Sequence, residues 1–196
     1  MDLTKSAEKS QSAPGEAKNG ITLADAAAAG DVQTVCALLD AGADVHEAHD
    51  EPIQEAARSG QIECVKTLLE RGVAARANDD AALLAAVAGN QVTMVRFLLQ
   101  NGARIHARGD EAVRTAAKRG YTSMLEILIQ NGADWHAEGD QALICAARDG
   151  FTDIVSLLLK AGEPNYLSKD QALREAVNNG HPDVAQILID AGACRS

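Results

Sequence analysis

Histidine and aspartate recur along this chain at a fixed interval, the raw material of a metal site. His46, His106 and His136 fall in register at multiples of thirty residues, with Arg76 and Tyr166 in the intervening slots. Asp50, Asp80, Asp110, Asp140 and Asp170 repeat with the same period. Zinc needs about four ligands converging at bonding distance. Adjacent helical layers stand about 8–10 Å apart, which is too far for stacked histidines to share an ion. Calcium takes about 6–8 oxygens, and one carboxylate per period is too few. The histidines are therefore read as a solvent-facing ladder capping the preceding turn. The aspartates are read as helix N-caps, whose carboxylates accept from free backbone N–H groups.

Cys36, Cys64, Cys145 and Cys194 occupy four different positions within the period and form no CxxC pair, so four reduced thiols are expected, acting mainly as small buried hydrophobes. The one form of covalent chemistry available is a thiol enzyme using Cys145, on the open face of a helix, with a nearby histidine. No phosphate-cradling loop, dinucleotide fingerprint, serine elbow or HExxH motif occurs. The expectation is a non-catalytic protein without cofactor or metal.

A formal charge of -10 opposes nucleic-acid backbones and anionic membrane surfaces. Hydrophobic residues make up 46% of the 196 residues but aromatics only 3%, so the core must be built from Ala, Leu, Val and Ile, which suits closely packed helices. No apolar run is long enough to cross a membrane and no secretory signal opens the chain, so a cytoplasmic location is expected. Residues 1–20 are polar and read as a flexible leader.

From Ile21 onward the chain divides without gaps into six segments: 21–50, 51–80, 81–110, 111–140, 141–170 and a truncated 171–196. Position three is always aliphatic (Leu23, Ile53, Leu83, Val113, Leu143, Leu173) and position six always alanine. A second apolar set follows at Val35, Val65, Val95, Leu125 and Val155 with Leu38, Leu68, Leu98, Leu128, Leu158 and Leu188. Spacings of three and four place each set on one face of a helix. Gly30, Gly60, Gly120, Gly150 and Gly180 separate the two helices at an expected positive φ, with Asn90 as the next most tolerant residue. A second glycine, from Gly42 to Gly192, closes each second helix.

The helix pair followed by Gly-Ala-Asp resembles the ankyrin repeat over residues 21–196. Gly150-Phe151-Thr152-Asp153-Ile154-Val155 leading to Leu158-Leu159, the paired Ala146-Ala147, and Gly42-Ala43-Asp44-Val45 or Gly132-Ala133-Asp134-Trp135 carry the likeness. The family's Thr-Pro-Leu-His is replaced by Glu51-Pro52-Ile53-Gln54, Glu111-Ala112-Val113-Arg114 and Gln141-Ala142-Leu143-Ile144. The family period is about 33 residues, and the missing three fall where its β-hairpin finger lies. The expected fold is thus an all-α, ankyrin-like α-solenoid of six helix-turn-helix repeats. Its linkers, such as Glu47-Ala48-His49-Asp50 and Ala107-Arg108-Gly109-Asp110, should be short, with little or no β-hairpin. Glu163-Pro164-Asn165-Tyr166 breaks the pattern and should have its own conformation. Both ends look capped by small or polar residues, Ala24 to Ala29 at one and Asn178, Asn179, His181, Asp183 and Gln186 at the other.

Such a stack implies binding of another protein along the concave side, lined by the first helices. The candidate partner-binding residues are Glu55, Arg58, Leu84, Ala85, Ala88, Arg114, Thr115, Lys118, Arg119, Ile144, Cys145 and Arg148. Apolar partner residues would lie near Leu84 and Ala85, and an acidic group near Arg58, Lys118 and Arg148. A monomeric adaptor, or an effector acting inside a host cell, fits this reading; the alternative is a structural or self-assembling element without a dedicated groove. Trp135, the sole tryptophan, is either packed at a turn or an exposed anchor.

Overall fold

The computed structural model describes residues 20–193; the leader expected over residues 1–20, apart from Gly20, and Cys194 lie outside them. Twelve helices follow in chain order: α1 (Leu23–Ala29), α2 (Val32–Asp40), α3 (Glu47–Arg58), α4 (Ile62–Glu70), α5 (Ala77–Ala88), α6 (Val92–Gln100), α7 (Glu111–Lys118), α8 (Thr122–Gln130), α9 (Ala137–Arg148), α10 (Thr152–Ala161), α11 (Tyr166–Asn178) and α12 (Pro182–Asp190). No strand occurs among the described residues. Odd-numbered helices pack on one another in one layer and even-numbered helices in a second, with each repeat contributing one helix to each. The first layer is the more closely packed, so the second is splayed and the first lies on the inner side.

Alanine explains the close inner layer. Ala26, Ala56, Ala86, Ala116, Ala146 and Ala176 are all buried, and their lack of side-chain bulk lets neighbouring backbones approach. Leu68, Leu98, Leu128, Leu158 and Leu188 fill the space between layers at 0% exposure. Each first helix ends in paired bonds that satisfy its last carbonyls: Gly60 N–H donates to Ala57 O at 3.2 Å and Gln61 N–H to Ala56 O at 2.8 Å. This geometry holds Gly60 at φ 77, and Asn90 takes the same role at φ 56.

Crowding gives these glycines a second reason. The residue at position eleven lies over the glycine of the preceding repeat, so a Cβ on Gly60 would stand 2.5 Å from Gln91 Oε1, and one on Gly120 would stand 2.9 Å from Phe151 Cε1. Gln61 and His181 make the same approach to Gly30 and Gly150. This inter-repeat contact was missed in the sequence because Gln, Tyr, Phe and His share no obvious chemistry.

The linkers correct the expectation for the aspartates. Ala48-His49-Asp50, Asn78-Asp79-Asp80, Arg108-Gly109-Asp110 and Glu138-Gly139-Asp140 each form one left-handed turn, with φ between 47 and 70. A side-chain N-cap needs extended backbone at the capping residue; at φ 56 the Asp110 carboxylate makes no bond to the helix it precedes. Instead it crosses to the next repeat, accepting from Asp134 N–H at 2.9 Å. Asp80 accepts from both the backbone N–H and Nε of Arg104 at 2.8 Å, and Asp140 from Asn165 N–H at 2.9 Å. Asp80, Asp110 and Asp140 are buried staples between repeats, with Asp80 at 0% exposure, while Asp50 is bonded to His46 of its own repeat and Asp170 lies inside α11. True N-caps occur elsewhere, at Thr22, Asp31 and Asn165.

The histidines do face solvent, but their partner is the aspartate four residues ahead rather than the preceding turn. Nδ1 of His46 and of His136 lies 2.6 Å from the carboxylates of Asp50 and Asp140, and Nδ1 of His106 lies 3.0 Å from that of Asp110.

The fifth repeat departs as expected, and Trp135 packs against it. Its indole is 4% exposed and stacks on His136 at 3.7 Å between centroids, so it is packed, not an open anchor. Gly162 lies against both rings, its would-be Cβ 3.4 Å from Trp135 Cζ2, and is extended at φ 178 where the corresponding glycines are left-handed. The left-handed turn is absent there. Lys169, buried on α11, instead donates from Nζ to Glu163 Oε1 at 2.5 Å and to the Ala191 carbonyl at 3.2 Å, neutralising the negative end of α12.

Candidate partner-binding face

The inner helices bring the candidate residues onto one side of the stack but leave only part of them available. On α3, Glu55 and Arg58 pair with each other at 3.2 Å. On α5, Leu84 and Ala88 are half-buried and Ala85 is 5% exposed. On α9, Ile144 is 7% exposed. Ile144 therefore presents almost no surface, and nor does Ala85, which reduces the expected apolar patch of repeat three to the half-buried Leu84 and Ala88. The cause is the approach of α5 to α3, so close that a Cβ on Gly89 would stand 2.0 Å from the Arg58 carbonyl oxygen.

Repeats four and five are different. Glu111, Arg114, Thr115 and Lys118 of α7 and Glu138, Gln141 and Cys145 of α9 line a hollow of about 310 Å³. Four of the candidates, Arg114, Thr115, Lys118 and Cys145, meet here. Glu138 was not among them, because a linker residue gives no sign in sequence of reaching over the inner helices. It forms an ion pair with Arg114.

Most cations of this side are already engaged. Arg119 Nη1 donates to the Ala88 carbonyl at 3.1 Å. Arg148 holds Asp149 through Nε at 2.9 Å and Nη2 at 3.1 Å. That pairing keeps the Asp149 carboxyl below the usual carboxylate range and raises the Arg148 guanidinium. Lys118 is exposed and forms no hydrogen bond or ion pair within the described chain. It is open to an incoming acidic group, whereas Arg58 and Arg148 have acids of their own.

No histidine borders the hollow that Cys145 lines. Cys36, Cys64 and Cys145 are free thiols, and burial pushes the Cys64 thiol up, away from the reactive thiolate. No group of three or more metal-ligating side chains is arranged for an ion among the described residues. None of their helices is long and apolar enough to cross a membrane.

A family model for ankyrin repeats, in three copies, matches residues 23–109 and again residues 113–195. The chain belongs to the ankyrin repeat family. Among solved ankyrin structures, the human ASB11 ankyrin repeat domain superposes with a TM-score of 0.73 and is 26% identical, covering 88% of this chain and 84% of that one. An ankyrin repeat domain from Acinetobacter baumannii AYE gives a TM-score of 0.67 at 28% identity, covering 88% and 98%. No curated protein sequence matches the chain. Ankyrin repeats are in general protein-protein interaction modules without catalytic activity of their own. In four of the five linkers a left-handed turn stands where the family's finger would lie.

Proposed function

We propose that this protein is a non-catalytic binding module that holds a segment of another protein along its inner helices, centred on the hollow between α7 and α9. The observation that carries this reading is Lys118, an exposed and unpaired cation beside a hollow bordered by Thr115, Gln141 and Cys145. An acidic partner side chain would pair with Lys118 while neighbouring residues occupy the hollow. The free thiols suit a reducing compartment such as the cytoplasm. Protein-protein interfaces of standard size bury about 800 Å² per partner, so contacts must extend beyond the hollow onto Arg119 and the exposed side of Arg58.

Quantitative affinity capture with the wild-type chain and with the double variant Thr115→Arg/Lys118→Glu tests the site. Loss of the captured partner in the variant, with the melting temperature kept, is expected. Equal capture by both chains would refute the placement.

A further inference from the structure

Position twenty-eight lies where each repeat hands over to the next, and three of its side chains reach back to the preceding linker. Asn78 Nδ2 donates to the His49 carbonyl, Arg108 Nη2 to the Asn78 carbonyl and Ser168 Oγ to the Gly139 carbonyl, each at 3.2 Å. Glu138 breaks this row. An ionised carboxylate has no proton to donate to a carbonyl. Its Oε1 lies beside the preceding linker, 3.8 Å from where a Cβ on Gly109 would stand, and its Oε2 turns to Nη1 of Arg114 on α7.

This ion pair sits inside the inner-helix site. Glu138, Arg114 and Lys118 all line the hollow between α7 and α9. Arg114 is 23% exposed and Glu138 59%, so the acid is the outer partner and water weakens its hold. Arg114 and Lys118 are four residues apart on one helix, which sets their Cβ atoms about 5–6 Å apart on one face. The other acids nearby have cations of their own: Glu111 lies 3.9 Å from Arg108, and Asp149 is held by Arg148 at 2.9 Å.

We propose that Glu138 stands in for a carboxylate of the partner, and that the site takes a segment bearing two acidic side chains about one helical turn apart. One acid pairs with the open Lys118, and the second displaces Glu138 from Arg114. The inference rests on the inner-helix site proposed above and names the chemistry of its partner. With Glu138 displaced, the hollow offers two cations, since Arg108 answers Glu111, and so complements two acids. A segment with one acid reaches Lys118 and leaves Arg114 covered. Residues four apart on a helix, at about 5–6 Å, or two apart on a strand, at about 6.6 Å, supply the spacing.

Amide NMR titration of the full chain with two pairs of peptides tests the proposal. One two-acid peptide is alanine-rich and helical with glutamates four residues apart, and the other is extended with glutamates two apart. Each is compared with a counterpart in which one glutamate is glutamine, and shifts at Thr115 and Gln141 read the binding. In at least one pair the two-acid peptide should bind about threefold tighter, the scale of one exposed ion pair. Glu138→Gln should tighten that peptide by a similar factor and its counterpart less. The glutamine amide can also donate to the preceding linker as Asn78 does, so the wild-type melting temperature should be kept. Arg114→Gln should erase the preference for two acids. No preference in either pair, a preference that survives Arg114→Gln, or no tightening by Glu138→Gln would each overturn the inference while binding that depends on Lys118 stands. Binding indifferent to Lys118→Glu, or no binding of any peptide, would overturn the inner-helix reading as well.

Discussion

Replacing Asp110 by alanine tests whether the linker aspartates hold the repeats together. The carboxylate is 5% exposed, accepts from Asp134 N–H at 2.9 Å and lies 3.0 Å from His106 Nδ1. A hydrogen bond to a charged group contributes about 1.5–3 kcal/mol. Alanine at φ 56 adds about 1 kcal/mol, since it lacks the tolerance of Asp for left-handed backbone. The expected loss is about 3 kcal/mol, or about 6–12 °C in melting temperature for a chain of this size. Asp110→Asn keeps an acceptor oxygen and should lose less than half as much. Asp110→Gly loses the bond but not the conformational freedom and should fall between. Guanidinium unfolding followed by circular dichroism and by Trp135 fluorescence gives the energies, Trp135 being the residue after Asp134. Amide exchange locates the effect: the Asp134 amide should be protected in the wild type and exposed by Asp110→Ala. A loss of only about 1 kcal/mol, the usual value of an N-cap, with Asp134 exchange unchanged and that of Ala112 or Val113 accelerated, would refute the staple.

Further outcomes are expected from the same geometry. Gly89→Ala places a Cβ 2.0 Å from a backbone oxygen at ordinary φ and should cost about 1–3 kcal/mol by forcing α5 from α3, measured by urea unfolding. His49→Gly should stabilise by about 0.5–1 kcal/mol, the relief of left-handed strain less the entropy of glycine, seen as a raised melting temperature. Leu128→Ala should lose about 2–5 kcal/mol by leaving a cavity mid-stack, with calorimetry as the check. Because hydrogen bonds from Thr22 and Thr34 lower the Asp25 and Asp31 carboxyls in the fold, their stabilisation is complete above about pH 4 and is lost as pH falls through their folded values. Asp31→Asn should accordingly flatten the acid decline in stability, followed by denaturant midpoints across that range.

Periodicity made the helices and the core legible, since Leu128 and Ala146 each do one thing wherever they recur. The aspartates misled because a residue just before a helix is an N-cap or a left-handed staple according to the sign of φ, and the short linker decides that sign. The candidate face was read by its helical register, which placed Thr115 and Lys118 on the border of a hollow. It overestimated the open surface at Ile144 and at Ala85, the latter because Gly89 lets α5 approach α3 there, and no pattern within one repeat reports the spacing between two. The irregular stretch at Pro164 was visible as an irregularity, but not that Trp135 packs beside it or that Lys169 is buried on the helix that follows.

Position eleven has a consequence for the shape of the whole array. In the second, third, fifth and sixth repeats one side chain, set against the preceding glycine, acts as a spacer between successive layers. It is glutamine in the second and third repeats and an aromatic ring in the fifth and sixth. Changing that residue alters the tilt of one layer on the next without touching the core, so the curvature of the solenoid, and with it the partner segment that fits, can drift one residue at a time while each repeat still folds.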